Sequence, residues 1–278
     1  MRQITDIKEI QMLALKILRQ FDAFCRENNV EYFLAYGTLI GAVRHQGFIP
    51  WDDDIDVWVK REDYQIIVNR FSEWGKTRGL YLNSLTTTEK YNRIFAKICM
   101  DHTKVETLDR YNDYEEGFFI DVFVLDGSPN NRLKRALRVS HLQLLRNIVT
   151  LSAYGADKMP NPSFKVKLYS SFGKLLRKID QNRIMRRYET VASKSSSADS
   201  HYLLVPIRKS KGKAIEMPSD WFSSGIRMSF ADTESSVPVG YDSILRLVYG
   251  DYMCLPPEDQ RKPGHAALFF IDDDYIKL

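Results

Sequence analysis

Four aspartates crowd into five positions, Asp52, Asp53, Asp54 and Asp56, between apolar residues on both sides: Phe48, Ile49, Pro50 and Trp51 before them, Val57, Trp58 and Val59 after. Carboxylates next to apolar residues on a strand are costly, because each charge loses water. A divalent cation held between them is the usual compensation. If residues 54–59 form a strand, alternation puts Asp54 and Asp56 on one face and Ile55 and Val57 on the other. Two carboxylates so spaced reach one or two cations. Asp52 and Asp53 fall in the loop before this strand; Asp52 is the further ligand to consider, and Asp53 reads equally as a ligand or a solvated turn residue. A third carboxylate, Asp121, is the single charge inside the apolar run Gly117–Leu125 (GFFIDVFVL). Buried and unpaired it would tend to stay neutral, so a place beside Asp54 and Asp56 around a cation is favoured over a buried structural aspartate.

The residues around this cluster suit phosphate. Gly37-Thr38 follows an expected buried strand, Val30–Tyr36 (VEYFLAY), and precedes an expected helix, Leu39–Arg44. Strand, Gly-Thr turn and helix together aim backbone N–H groups and a helix dipole at an anion. Arg44 offers a bidentate phosphate contact. His45 could orient a phosphate or leaving group, and Trp51 could pack on a base or an alcohol head group. Lys97, in the alternating stretch Arg93–Met100 (RIFAKICM), is either turned to the site to meet a phosphate or an exposed lysine on a sheet face. The chemistry implied is displacement at phosphorus, in which two cations, Mg²⁺ or Mn²⁺, stabilise attacking and leaving oxygens together. Asp54 and Asp56 supply that clamp, and Asp121 completes it or accepts the proton of the attacking group.

These residues need a sheet and helices to position them. The 278 residues suffice for one large domain or two small ones, and 44% hydrophobic with 27% charged residues is ordinary for a soluble globular chain. Periodicity predicts an amphipathic helix over 6–29, a helix over 61–74, strands over 81–85 and 93–100, and two long helical segments over 130–154 and 163–194 with apolar residues enough to pack as a hairpin on the core. Strands follow over 201–207 and 221–230, then a helix over 241–249 and a Pro-rich, irregular stretch over 250–265. Neither a secretory leader nor a membrane-spanning run is evident. Three scattered cysteines, Cys25, Cys99 and Cys254, read as reduced thiols. Charge is uneven: residues 130–187 hold 14 Lys and Arg against Asp157 and Asp180, an excess of +12 in a chain whose net charge is +4. A block like this points to an anionic partner such as phospholipid head groups or a polyanionic glycan. Sequence-specific nucleic acid is disfavoured, since no zinc finger or RNP-like aromatic motif accompanies it.

A Gly-Thr turn after one strand, a DxD on the next and a later carboxylate on an apolar strand resemble the nucleotidyltransferase fold. Gly37–Val57 (GTLIGAVRHQGFIPWDDDIDV), Phe119–Asp126 (FIDVFVLD), the strand around Lys97, and Tyr249–Pro257 (YGDYMCLPP) followed by Arg261 and His265 resemble the signature of the LicD family. The resemblance implies an α+β fold, a nucleotidyltransferase-like mixed sheet flanked by helices, with a basic helical insertion and a C-terminal segment packing back on the core. The expected division is 1–129, 130–195 and 196–278. It implies a cytoplasmic transferase; the basic block adds an expected peripheral contact with the inner membrane face through residues 130–187. Such an enzyme would move a phosphoalcohol, phosphocholine first, from a CDP-alcohol such as CDP-choline to a hydroxyl of a glycan or lipid-linked glycan precursor (teichoic acid, capsule or lipooligosaccharide), releasing CMP. For choline an aromatic cage is expected, from among Tyr36, Trp51, Trp58, Tyr249 and Tyr252. Two other readings stand beside this one: transfer of the nucleotidyl group itself to a small molecule or protein, and an inactive protein that binds a glycan or lipid surface.

Overall fold

The computed structural model describes residues 1–108, 112–153, 164–176, 179–208 and 214–274. From the N-terminus the elements are β1 (Arg2–Ile4), α1 (Ile7–Asn28), β2 (Tyr32–Leu34), α2 (Tyr36–Ile40), β3 (Asp56–Lys60), α3 (Arg61–Lys76), β4 (Leu80–Asn83), β5 (Ala96–Met100), β6 (Thr103–Thr107), β7 (Phe118–Gly127), α4 (Arg132–Ala153), α5 (Phe164–Leu176), α6 (Gln181–Ala192), β8 (Tyr202–Arg208), β9 (Ala214–Pro218), β10 (Gly225–Phe230), β11 (Thr233–Pro238), α7 (Tyr241–Tyr249) and β12 (Ala267–Ile271). This is an α+β fold.

The apolar run ending at Leu125 becomes β7, the long strand at the middle of a mixed sheet ordered β2-β3-β7-β5-β4. β3 and β7 are parallel; the other neighbours are antiparallel. Almost every residue of β7 is buried, as expected for a strand covered on both faces, which is why it reads as a continuous apolar run rather than an alternation. Past the reach of β5, its end pairs with β8 at Asp126 and Gly127, and β8 pairs with β9.

One layer against this sheet is α1. Asp6 caps it by accepting from Lys8 N at 2.9 Å, and Asn29 ends it in the left-handed conformation at φ 53°. Ile10, Leu13, Ile17, Phe21 and Phe24 form its buried face. At the base of α3, the buried Arg61 guanidinium meets Asp126 at 2.7 and 2.9 Å and Glu189 at 2.7 Å, which joins α3, β7 and α6.

Several expectations change. The segment predicted as one helix over 163–194 is two, α5 and α6, because Asp180 caps a new start by accepting from Arg183 N. Lys158, Arg177 and Lys178 of the basic block, and the loop expected over 155–162, lie outside the described residues. The strand expected over 221–230 begins as a 3-10 turn, Ser219–Phe222, and becomes β10 only from Gly225. The three-stranded sheet β1-β12-β6 has no counterpart in the sequence reading, since each strand is short and owes its form to pairing. The helical segment does pack, α5 and α6 each lying on α4, but it covers fewer apolar residues than expected. Leu142 and Leu145 are buried, but Leu133, Leu137, Leu168, Phe172, Leu175 and Ile179 are exposed. The three cysteines are free thiols, two of them buried.

Candidate active site

Asp56 opens β3, and Asp121 sits opposite it across the parallel pair. Across the antiparallel pair on the other side, Asp121 faces Lys97. Directly paired residues in a sheet present their side chains on one face, so two carboxylates and an ammonium converge by register alone. The backbone is pinned there: Asp121 N donates to Ile55 O at 2.8 Å, and Ala35 N to Asp56 O at 2.9 Å. Thr38 completes this, its hydroxyl oxygen accepting from Asp56 N at 2.9 Å.

Asp54, Asp56 and Asp121 each bring a carboxylate oxygen within 4.8 Å of the others. Burial raises the pKa of Asp56 well above the carboxylate range, with Asp54 and Asp121 adding repulsion. Burial also raises Asp54, partly countered by His265. Asp52 is pushed up to about 8, first by burial and then by Asp54 and Asp53. Three oxygen donors that resist ionising together suit a hard divalent cation. Asp121 Oδ1 has the Lys97 ammonium at 3.0 Å yet no aligned hydrogen bond among the described residues, which leaves it directional capacity for a metal. The residues present therefore fit a cation, and these three would hold it.

Lys97 is only 1% exposed, so the exposed-lysine reading does not hold. Its ammonium lies over the face of Phe119, 2.8 Å from the ring centroid, and meets Asp121 and, at 3.4 Å, Glu116. Arg93 also contacts Glu116 at 3.4 Å. Burial works against ionisation of Glu116, but Lys97 and Arg93 outweigh it and lower its pKa. Glu116 escaped the sequence reading, although the acidic pair Glu115-Glu116 stands directly before the apolar run of β7.

Asp53 is not a solvated turn residue. Buried, it accepts from Gly264 N at 3.2 Å and His265 N at 3.3 Å, and its carboxylate meets His265 Nδ1 at 3.1 Å. His265 Nε2 lies 3.8 Å from Asp54 Oδ2. Burial alone would lower the histidine's pKa; Asp53 and Asp54 override it and raise it to about 9. The C-terminal stretch is thus clasped to the acidic loop, and Asp53, Asp54 and His265 form a second group whose ligand atoms lie within 4.8 Å of one another.

The LicD/FKTN/FKRP nucleotidyltransferase domain matches residues 29–143. The chain is also 30% identical to the lipopolysaccharide cholinephosphotransferase LicD of Haemophilus influenzae over 276 residues, 98% of this chain and all of that protein. The chain belongs to the LicD family. Two rickettsial proteins of uncharacterised function are similar over shorter spans: one of Rickettsia prowazekii, 31% identical over 38% of this chain and 41% of its own length, and one of Rickettsia typhi, 40% identical over 25% of this chain and 24% of its own.

In this LicD-family chain the loop Arg44–Trp51 is built tightly. The helix expected over 39–44 starts earlier, as α2, and continues as a π-helical turn, Gly41–His45. A Cβ on Gly41 would lie 2.4 Å from the Gly47 carbonyl, so glycine permits the chain to fold back on itself there. A Cβ on Gly37 would lie 2.8 Å from Asp52 Oδ2, so the carboxylate of Asp52 rests directly on the Gly-Thr turn. Tyr36 holds a φ of 45°, a conformation that costs a non-glycine residue about 1–3 kcal/mol and clusters at functional sites. Arg44 donates to the carbonyls of Tyr252 at 2.5 Å and Cys254 at 3.2 Å, and to His45 Nε2 at 2.9 Å. Burial and then the Arg44 charge lower the pKa of His45. Trp51 is half-buried with the Arg261 guanidinium 5.8 Å from its ring centroid.

Of the five aromatic residues considered for a cage, Tyr36, Trp58 and Tyr252 are buried. Tyr36 packs edge-on to Trp58 with centroids 4.8 Å apart, and the Tyr252 hydroxyl donates to Asp242. Tyr249 is exposed; crowding and the charges of Asp56, Asp52 and Asp54 raise the pKa of its hydroxyl, which sets it beside the acidic cluster. Among the described residues no helix is long and apolar enough to cross a membrane.

Proposed function

We propose that this protein transfers phosphocholine from CDP-choline to a hydroxyl of a cell-surface glycan precursor, releasing CMP. The observation that carries the reading is the convergence of Asp54, Asp56 and Asp121 beside the Gly37-Thr38 turn, in a chain similar from end to end to a lipopolysaccharide cholinephosphotransferase. That relative's name supports choline as the alcohol and a lipid-anchored glycan as the acceptor class.

Bound at the three carboxylates, Mg²⁺ or Mn²⁺ ions, two in number, would neutralise charge that builds on the bridging and non-bridging oxygens of the pyrophosphate. The acceptor oxygen bonds to the phosphorus that carries choline, the bond from that phosphorus to the bridging oxygen breaks, and CMP departs with the bridging electrons. In this reading Asp121, besides holding metal, takes the acceptor proton, and Lys97, paired with it at 3.0 Å, holds that carboxylate in orientation. Thr38 fixes the start of β3, and the turn at Gly37 lets the Asp52 carboxylate lie against it as a further ligand; donor phosphate would meet the Gly37-Thr38 turn beside that carboxylate. Arg44 and His45 are donor-side groups, with Arg44 binding the Tyr252 and Cys254 carbonyls until a phosphate competes for it. Trp51 and Tyr249 are the aromatic residues left to meet the choline or cytosine. The protein works on the cytoplasmic side, peripheral to the membrane.

The test is incubation of the purified protein with Mg²⁺, CDP-choline and a lipooligosaccharide or teichoic acid precursor, following CMP and acceptor-bound choline. Release of CMP together with choline on the acceptor is expected. An acceptor carrying labelled cytidine nucleotide would establish nucleotidyl transfer instead, and no turnover with any CDP-alcohol would leave a glycan- or lipid-binding protein.

A further inference from the structure

The helical segment keeps apolar side chains in solvent. On α5, Phe164 is 80% exposed, and Leu168, Phe172 and Leu175 are each more than half exposed. Spacings of four, four and three residues line them along one helix face. Another face of α5 is occupied. Ser170 is buried, and a Cβ on Gly173 would lie 2.1 Å from the Leu151 carbonyl, so small residues let α5 press on α4. The apolar stripe is therefore not the face that docks on the protein. α4 repeats the pattern, with Leu133, Leu137 and Leu144 exposed along one face and Leu142, Leu145 and Val149 buried on another.

The charge around these stripes has one sign. Neither α4 nor α5 contains an acidic residue. Lys134 on α4 and Lys167 and Lys174 on α5 are exposed. An exposed apolar stripe of this size marks an interaction surface, and cations beside it select the partner. A second copy of the chain would bring the same positive charge against it. An anionic bilayer meets both demands at once, with acyl chains for the stripe and head groups for the ammonium ends of flexible lysine stems. At 13 residues α5 is too short to span a bilayer, which takes about 20, so it lies on the surface.

We propose that α5, with the outer face of α4, docks this protein on an anionic phospholipid bilayer by laying Phe164, Leu168, Phe172 and Leu175 into the boundary between head groups and acyl chains. This deepens the membrane-peripheral part of the function proposed above and rests on it. It assigns the attachment to apolar insertion guided by charge rather than to charge alone, and it would keep a lipid-anchored acceptor close to the enzyme.

The test is co-sedimentation of the full chain with vesicles of phosphatidylcholine alone and of phosphatidylcholine with phosphatidylglycerol in equal parts. Binding to the anionic vesicles is expected. The double variant Leu168→Gln/Phe172→Gln, whose changes are exposed and outside the active site, should bind at least about tenfold more weakly. Lys167→Gln/Lys174→Gln should lose roughly fivefold per lysine and be further weakened by salt. Circular dichroism should show both variants folded, and CMP release with a soluble glycan fragment should match the parent chain. Failure of CDP-choline turnover in the parent would overturn the enzymatic reading while leaving vesicle binding to decide this one. Absent binding to anionic vesicles, equal binding to neutral ones, or full binding by Leu168→Gln/Phe172→Gln would overturn the proposal. So would self-association that the double variant abolishes in a chain that ignores vesicles.

Discussion

At the end of the central sheet the molecule buries charge; along α4 and α5 it exposes phenylalanine and leucine. Both arrangements run against the ordinary distribution of residues, and they are handled differently. Around Asp121 the buried charges are answered by other protein groups: Lys97 over Phe119, Glu116 beside Lys97, and His265 between Asp53 and Asp54. Even so, Asp52, Asp54 and Asp56 remain under-neutralised, with pKa values raised by burial and by one another. Along α5 nothing on the same chain answers the stripe among the described residues. A deficit of positive charge inside fits the proposed cation, and an excess of apolar surface outside fits the proposed bilayer.

The contrast can be broken at several points. The largest effect should come from Asp56→Asn, which removes a ligand from the acidic set: phosphocholine transfer should fall about a thousandfold, with the fold retained or stabilised because burial and the neighbouring carboxylates already resist its charge, as read by single-turnover kinetics and thermal melting. Full activity would move the chemistry elsewhere. Next is metal and pH. Asp52 has its pKa raised in the folded chain to about 8, so the folded state holds more protons than the unfolded one between about pH 4 and 8. That contribution is complete below about pH 4 and is lost as pH rises to about 8; Asp54 and Asp56 act in the same direction. His265, raised to about 9, adds a loss between about 6.5 and 9. Metal-free protein should therefore melt at progressively lower temperature from pH 5 to pH 9, and saturating Mg²⁺ should flatten that slope, adding about 2.7 kcal/mol at a hundred times its dissociation constant. A melting temperature indifferent to Mg²⁺ at pH 8 would refute the cation site.

Asp53→Asn should cost about 1–3 kcal/mol, because the change weakens the grip on Gly264 N, His265 N and the imidazole; denaturant unfolding measures it. On α5 the two faces should differ. Gly173→Ala would drive a Cβ toward the Leu151 carbonyl and cost about 1–3 kcal/mol. Phe172→Gln on the outer face should change stability by no more than about 0.5 kcal/mol. Equal losses from the two would mean that the stripe is packed after all.

What could be read from the sequence follows the range of the interactions involved. Asp56 is legible because it opens a strand marked by alternation, and Asp121 because it stands alone in an apolar run; Asp54, expected on that strand, lies in the loop before β3 and reaches the same cluster from there. The α+β class is what the resemblance to the LicD signature implies, and the structure bears it out. Asp53 was ambiguous because its partner lies 212 residues away, and no local pattern links a loop aspartate to a distant histidine. Lys97 could not be placed because its burial depends on cross-strand register with Asp121 and on Glu116. Tyr36 and Trp58 looked like ligand-facing aromatics beside the acidic cluster, but they are core residues packed on each other. The stripe on α5 was visible as periodicity; periodicity marks an apolar face without saying whether the protein covers it.

The register between β3 and β7 carries a consequence for how this family can change. Asp121 sits in a strand buried on nearly all sides, opposite Asp56 on one neighbour and Lys97 on the other. One residue inserted between Phe118 and Asp121 would turn the aspartate to the far face and offer an isoleucine or valine in its place. The three strands therefore form a frame in which substitutions can accumulate but lengths cannot. Insertions and deletions among homologues should gather outside it, and a relative with a length change inside Phe118–Asp121 should have lost this chemistry whatever residues it retains.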